Sequence, residues 1–233
     1  MKPQFLRKDY RTILSNPNIN KLKAILFDFD GVVVQSEDVY DVATSKLGQL
    51  YGVEIPEDFY DANRGIAEAA FYGRFKARFD LDVADEELQA NGRRLLREAF
   101  ATSVNFTDGF EQFHGKIREK GLNTALVTAT AKPLLDQIFE NSTLPIEFDQ
   151  IVTSSDVPRN KPAPDPYLKA CEELSLQPET TLVIEDSPTG LRSATEAGCQ
   201  TVAITTSCPR ESLDEANFVV DSFGELEELL TIV

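Results

Sequence analysis

A chain of 233 residues with a formal net charge of -16 lacks the basic surface that nucleic acid or an anionic membrane face requires. Its 42% hydrophobic and 27% charged content is that of a globular protein, either one large domain or a domain with a substantial insert. No apolar run reaches the length of a membrane span, and Met1-Lys2-Pro3-Gln4 lacks the apolar core of a secretory signal. Cys171, Cys199 and Cys208 form no C-x-x-C pair and read as free thiols of a reducing compartment. A soluble, cytoplasmic protein is expected, a monomer or weak dimer with no nucleic-acid or membrane partner.

Residues 1–21 form a mildly basic arm with Lys2, Arg7, Lys8 and Arg11, closed by the turn Asn16-Pro17-Asn18. Asp9 and the shortness of the arm argue against a targeting role. Ala24-Ile25-Leu26-Phe27 is short and wholly apolar, the pattern of a strand buried on both faces. Asp28-Phe29-Asp30-Gly31 follows it. Residues two apart on a strand point the same way, so Asp28 and Asp30 leave its end as a pair of carboxylates. At about 4 Å and an effective dielectric near 20, two such charges repel by roughly 4 kcal/mol. They need a cation, a shared proton or a wide separation.

From Glu37 to about Phe106 strand-like runs give way to helical periodicity. Phe71, Phe75 and Phe79 lay an aromatic stripe along one helix, Val42, Leu47 and Leu50 approximate another, and Asp85-Glu86-Glu87 suits a first helical turn. An all-helical insert over 37–106 is expected, between a first segment at 22–36 and a continuation at 107–233.

Beyond it, β/α alternation resumes. A helix bears Phe110, Phe113 and Ile117, and Thr124-Ala125-Leu126-Val127 is a strand. Leu134, Leu135 and Ile138 mark a helix, and Asp149-Gln150-Ile151-Val152 a weaker strand. A helix runs from Pro164 to Leu174, and Thr181-Leu182-Val183-Ile184 is again a strand. Ser187-Pro188 opens a helix as N-cap and first residue, and Gly198 closes it. Thr201-Val202-Ala203-Ile204 and Phe218-Val219-Val220 complete a parallel α/β sheet with helices on both faces.

In such sheets the ligand crevice lies beyond the carboxyl ends of the strands. Asp28/Asp30, Thr128, Lys161 and Glu185-Asp186 all fall there. That set suits phosphoryl transfer. One carboxylate attacks phosphorus, and a second carboxyl protonates the leaving oxygen and later deprotonates water. A hard dication such as Mg2+ relieves the acid repulsion, while a hydroxyl and a lysine take the remaining phosphate oxygens. Taken singly, Lys161 is a solvated loop residue, Thr128 a helix cap and Glu185-Asp186 a complement to a helix N-terminus; their company gives them meaning. His114, the one histidine, borders an apolar stripe outside these segments and reads as structural.

The run Ile25-Leu26-Phe27-Asp28-Phe29-Asp30-Gly31-Val32 resembles the first motif of the haloacid dehalogenase superfamily. Val127-Thr128 resembles the second, Lys161-Pro162-Ala163-Pro164-Asp165 the third and Ile184-Glu185-Asp186-Ser187-Pro188-Thr189-Gly190 the fourth. Order and spacing match, and the subgroup they resemble holds β-phosphoglucomutase and sugar-phosphate phosphatases. The resemblance implies a Rossmann-like core with a helical cap domain over 37–106. It implies Asp28 as nucleophile and Asp30 as general acid/base. Thr128, Lys161 and the N–H groups of Phe29 and Ala129 would bind phosphate, and Asp28, Asp30, Glu185 and Asp186 would hold Mg2+. A cap in this superfamily closes over the phosphate and selects the leaving group, which makes Arg64, ahead of Arg74, Lys76 and Arg78, the candidate specificity contact. Asp30 argues against dehalogenation, since the dehalogenases lack that second acid.

Two positions depart from the subgroup pattern. Gln35-Ser36-Glu37 stands where an Asp opens the usual hinge triplet, and Tyr40 stands where the mutases carry histidine. The expected function is therefore a Mg2+-dependent phosphatase of a small phosphorylated metabolite such as a sugar phosphate. A phosphomutase and a non-catalytic sugar-phosphate sensor are the alternatives.

Overall fold

The computed structural model describes residues 21–63, 68–101, 105–141 and 147–231. Apart from Lys21, the N-terminal arm lies outside the described residues, as does Arg64. The chain divides into two compact units. One takes the described residues of Met1–Val33, Phe106–Thr130 and Glu147–Val233; the other takes those of Val34–Asn105 and Ala131–Ile146.

The first unit is a parallel α/β sheet. Its strands are β1 (Ala24–Phe27), β2 (Asn123–Val127), β3 (Gln150–Val152), β4 (Thr181–Glu185), β5 (Gln200–Ile204) and β6 (Phe218–Val220). They lie in the order β3-β2-β1-β4-β5-β6, all parallel. The order reverses at β1, which is the topological switch point where α/β sheets bind ligands. β1 throughout, and β2 and β4 at Ala125–Val127 and Leu182–Ile184, read as apolar runs because both faces are covered.

Alternation along β1 divides the core. Ala24 and Leu26 join Val127, Val183, Tyr167 and Ala194 in one buried cluster. Tyr167 belongs to α7 (Asp165–Glu173), which packs on β2 and β3, and Ala194 to α8 (Pro188–Glu196). Phe27 faces the other way, with Phe110 and Phe113 of α5 (Phe110–Glu119) edge-on at 5.4 and 6.2 Å. Phe223 packs on both of those rings. It opens α9 (Phe223–Thr231), a helix that the strand-by-strand reading of the sequence passes over.

The second unit contains α1 (Glu37–Leu50), α2 (Glu57–Asn63), α3 (Glu68–Arg78), α4 (Asp85–Phe100) and α6 (Lys132–Asn141). Phe71 and Phe75 on one side of α3, with Phe79 in the turn just past it, meet Phe59 of α2 at 6.0, 5.8 and 5.3 Å. Of the stripe expected on α1, Leu47 is buried but Val42 and Leu50 are about half exposed, at 46% and 49%. Val39 and Ala43 share the buried face with Leu47, because a repeat of four keeps one helix face whereas the step of five from 42 to 47 leaves it.

No helix among the described residues is long and apolar enough to cross a membrane. The three cysteines carry no disulfide.

Candidate active site

The register of the sheet builds the site. Phe27 pairs with Leu126 on one side and Ile184 on the other, so the next residue, Asp28, comes alongside Val127 and Glu185. The Asp28 N–H donates to the Ile184 carbonyl at 3.0 Å, continuing the ladder one step past the strand. The chain then turns at Gly31, whose φ is +74°. A Cβ there would fall on the Asp186 carboxylate and the Ser207 hydroxyl, so glycine is required both by conformation and by the closeness of the acid.

Lys161 reaches this strand end from the loop before α7 and is held by three acceptors. Its Nζ donates to Asp28 Oδ1 at 2.6 Å, to Glu185 Oε1 at 2.6 Å and to the Val127 carbonyl at 2.9 Å. The loop is pinned in turn, because Ser193 Oγ on α8 donates to the Ala163 carbonyl at 2.6 Å. The Lys161 side chain is only 6% exposed.

Glu185 is fully buried and its carboxylate is saturated. Oε1 also accepts from the Tyr167 hydroxyl at 2.7 Å. Oε2 accepts from the Asp186 N–H at 3.2 Å, the Ser187 N–H at 3.3 Å and the Ser187 hydroxyl at 2.9 Å. Ser187 caps α8 by accepting from the Gly190 N–H at 3.1 Å, and a Cβ on Gly190 would collide with the Glu185 carboxylate. Asp186 accepts from the Ser207 hydroxyl. Asp30 accepts from Thr130 Oγ1 at 3.1 Å, and Thr128 Oγ1 accepts from the Thr130 N–H at 2.9 Å.

Charge does not balance within this set. Carboxylate oxygens of Asp28, Glu185 and Asp186 come within 4.8 Å of one another, all buried, with Lys161 as the cation among them. Burial, then Glu185, pushes the Asp28 carboxyl above the usual carboxylate range despite Lys161. Burial, then Asp28 and Glu185, raises Asp186 well above that range. Burial alone would lower Lys161, but the facing Asp28 and Glu185 outweigh it and hold the ammonium charged. A cluster of oxygen donors with excess negative charge suits a hard dication, so the residues present fit Mg2+.

Of the residues singled out in the sequence, Asp28, Lys161, Glu185 and Asp186 are brought into one cluster, and Asp30 and Thr128 are linked through Thr130. Ala129 lies exposed at the end of β2. Arg74 donates to the Ala62 carbonyl at 2.8 Å, and Lys76 pairs with Asp85 at 2.5 Å, so both serve contacts inside the helical unit. His114 sits away from the cluster, among Phe27, Phe110 and Phe148 at 5.8, 5.5 and 5.0 Å.

Three residues of the site were missed by sequence reasoning. Thr130 carried a signal, standing two residues past Thr128 and so on the same side of the chain. Ser207 follows the end of β5, one more strand end in the row. Tyr167 carried none, since on an amphipathic helix it reads as core.

A parallel sheet with acids gathered at its switch point is the architecture of an α/β enzyme that works at its strand ends. Residues 25–204 match the haloacid dehalogenase-like hydrolase family, and the chain belongs to it. Hexitol phosphatase A of Escherichia coli is 28% identical over 88% of this chain and 94% of that protein. The phosphorylated carbohydrates phosphatase of Thermotoga maritima is 25% identical over 78% and 84%. Among solved structures, CbbY of Rhodobacter sphaeroides in complex with phosphate has a TM-score of 0.74 at 25% identity, covering 88% of this chain and 96% of that one.

Proposed function

We propose that the protein is a Mg2+-dependent phosphatase that hydrolyses a small phosphorylated metabolite, such as a sugar phosphate, through an aspartyl-phosphate on Asp28. The observation that carries this reading is the buried cluster of Asp28, Glu185 and Asp186 with Lys161 bridging two of the acids. The names of the relatives, a hexitol phosphatase and a phosphatase of phosphorylated carbohydrates, support the substrate class. In this reading residues 22–36 and 107–233 are the catalytic core, α6 included, and the helices of 37–106 are the cap domain.

An Asp28 carboxylate oxygen attacks phosphorus while the bond to the leaving oxygen breaks, and Asp30 supplies the proton which that oxygen needs. Asp30 then takes a proton from the water that attacks the aspartyl-phosphate, releasing inorganic phosphate and restoring Asp28. Lys161 and Thr128, with the N–H groups of Phe29 and Ala129, hold the phosphoryl oxygens. Mg2+, when bound, neutralises charge shared between the carboxylates and the phosphoryl group. Asp28, Asp186 and the Asp30 backbone carbonyl would hold it. Glu185, both of whose oxygens already accept hydrogen bonds, contributes chiefly charge.

Tyr40 packs edge-on against Phe100 at 5.8 Å as an aromatic contact of the helical unit, which favours the phosphatase over the mutase. Phosphate release from a panel of sugar phosphates and other phosphomonoesters, with and without Mg2+, tests the proposal. Release should require Mg2+ and fall at least about a thousandfold in Asp28→Asn. Undiminished turnover in that variant would overturn the aspartyl-phosphate. Isomerisation of a sugar monophosphate once a bisphosphate is supplied would turn the reading to a mutase, and ligand binding without turnover would turn it to a sensor.

A further inference from the structure

Tyr167 has no part in the chemistry described so far, yet it touches both members of an ion pair at the centre of the site. Its ring is fully buried. Its hydroxyl lies 2.7 Å from Glu185 Oε1, and a carboxylate oxygen has only lone pairs to offer, so the phenol donates. The same Oε1 accepts from Lys161 at 2.6 Å, and Lys161 Nζ stands 5.1 Å from the centroid of the Tyr167 ring. The hydroxyl thus meets the acid while the ring meets the cation, an arrangement that suits a desolvated ammonium.

The hydrogen bonds of Lys161 show what this contact controls. An ammonium has three donors, and here they go to Asp28, Glu185 and the Val127 carbonyl. Holding a phosphoryl oxygen requires Lys161 to release one of them, and Asp28 is the partner that turns toward phosphorus. The two that remain decide where the ammonium stands. The Val127 carbonyl is fixed by the β2 backbone. Glu185 Oε2 is fixed by three donors at the head of α8, which leaves Oε1 as the end of the carboxylate that the tyrosine can steady.

Anchor and loop also form one piece. Tyr167 lies in the first turn of α7, six residues after Lys161, and the Ser193 bond to the Ala163 carbonyl ties down the segment between them.

We propose that Tyr167 is a positioning residue which, through Glu185 Oε1, aims Lys161 at Asp28 and at the phosphoryl group Asp28 receives. The inference rests on the aspartyl-phosphate reading for its consequence, though not for its geometry. A side chain wanted for volume alone would be served as well by phenylalanine, so the hydroxyl is the part to remove.

The test is Tyr167→Phe, made alone and in a Glu185→Gln background. Three quantities are compared with the parent: kcat and KM for the best phosphomonoester of the panel, the affinity for inorganic phosphate by calorimetry with Mg2+ present, and the rate at which acetic anhydride acetylates Lys161, read by peptide mass spectrometry. The last needs neither turnover nor phosphate. In Tyr167→Phe, kcat should fall about 5- to 20-fold and phosphate should bind several-fold more weakly. Lys161 should be acetylated several-fold faster. In the Glu185→Gln background the same substitution should add little, because the hydroxyl acts through that carboxylate. A lower melting temperature with all three quantities at parental values would overturn the inference, as would a full additive effect beside Glu185→Gln. Should the parent neither release nor bind phosphate, acetylation alone decides: faster labelling in Tyr167→Phe keeps the positioning role while sinking the aspartyl-phosphate, and unchanged labelling sinks both.

Discussion

The helical unit and the α/β unit both have well-packed interiors, but they bury different things. Phe59, Tyr72, Phe75, Leu88 and Leu95 close the core of the helical unit, while its ion pairs stand in solvent, as Arg93 with Glu68 does at 53% and 50% side-chain exposure. The α/β unit has exposed pairs too, such as Arg192 with Glu215 at 55% and 43%, but it also encloses charge: Lys161 is 6% exposed, facing Asp28 at 11% and Glu185 at 0%. An apolar core stabilises without any bound partner or counter-ion. Buried acids in excess of their cation stabilise only when something arrives to balance them, and otherwise cost free energy. Stability has been given up at the strand ends, and that is where the candidate chemistry lies.

Cutting one element from each unit tests this contrast. Lys161→Met leaves Asp28, Glu185 and Asp186 without their cation and should cost about 3–5 kcal/mol in urea denaturation. Added Mg2+ should recover part of that loss. Phe75→Ala empties the centre of the helical core and should cost a similar 3–5 kcal/mol or slightly less. No Mg2+ concentration should restore it beyond the gain the parent shows. Equal recovery in both variants would dissolve the distinction between the units.

These two sites also show what was legible in the chain. The aromatic stripe of α3 appeared because Phe71, Phe75 and Phe79 repeat every four residues. β1, β2 and β4 appeared because double-sided burial gives each an apolar run. The acids, Thr128 and Lys161 were found because strand ends in a parallel sheet share one edge. What escaped depends on partners far along the chain. Tyr167 meets Glu185 18 residues away, and Ser207 meets Asp186 across 21. Local periodicity places such residues on a face without saying which polar atom that face meets. The helix α9 was missable for a different reason. Its buried face is Phe223, Leu226 and Leu229, set among Glu225, Glu227 and Glu228, and the sheet already appeared complete at Val220.

Mg2+ itself should move the α/β unit by less than either cut. The raised Asp28 and Asp186 carboxyls hold protons in the folded state that the unfolded chain has already lost. In the metal-free protein that contribution to stability is therefore present at acid pH and lost as pH rises through the raised values. On the proposed reading Mg2+ would take the place of those protons, so its effect should grow with pH. At a hundred times its dissociation constant it should add about 2.7 kcal/mol, or roughly 5–10 °C in melting temperature, near pH 8, and distinctly less near pH 5. A rise independent of pH would detach Mg2+ from these acids.

The smallest effect separates the site from an ordinary buried titratable group in the same unit. His114 packs against Phe27, Phe110 and Phe148, and its Nε2 has no hydrogen-bond partner among the described residues. Burial, helped by the nearby Arg118, lowers its pKa from 6.5 to about 4. The unfolded chain takes up a proton near its ordinary value while the folded chain does not. The stability His114 contributes is therefore complete above that value and is lost as pH falls from about 6.5 toward 4. Solvent screening at the ring edge trims the loss to roughly 1–2 kcal/mol. In His114→Phe the decline between pH 7 and pH 4.5 should be shallower than in the parent by that amount, and the response to Mg2+ should be unchanged, because among the described residues no hydrogen bond joins the His114 side chain to the acids. A His114→Phe protein with the parental acid slope would mean that the histidine is solvated, and an altered Mg2+ response would mean that the two buried clusters of the α/β unit are coupled through Phe27.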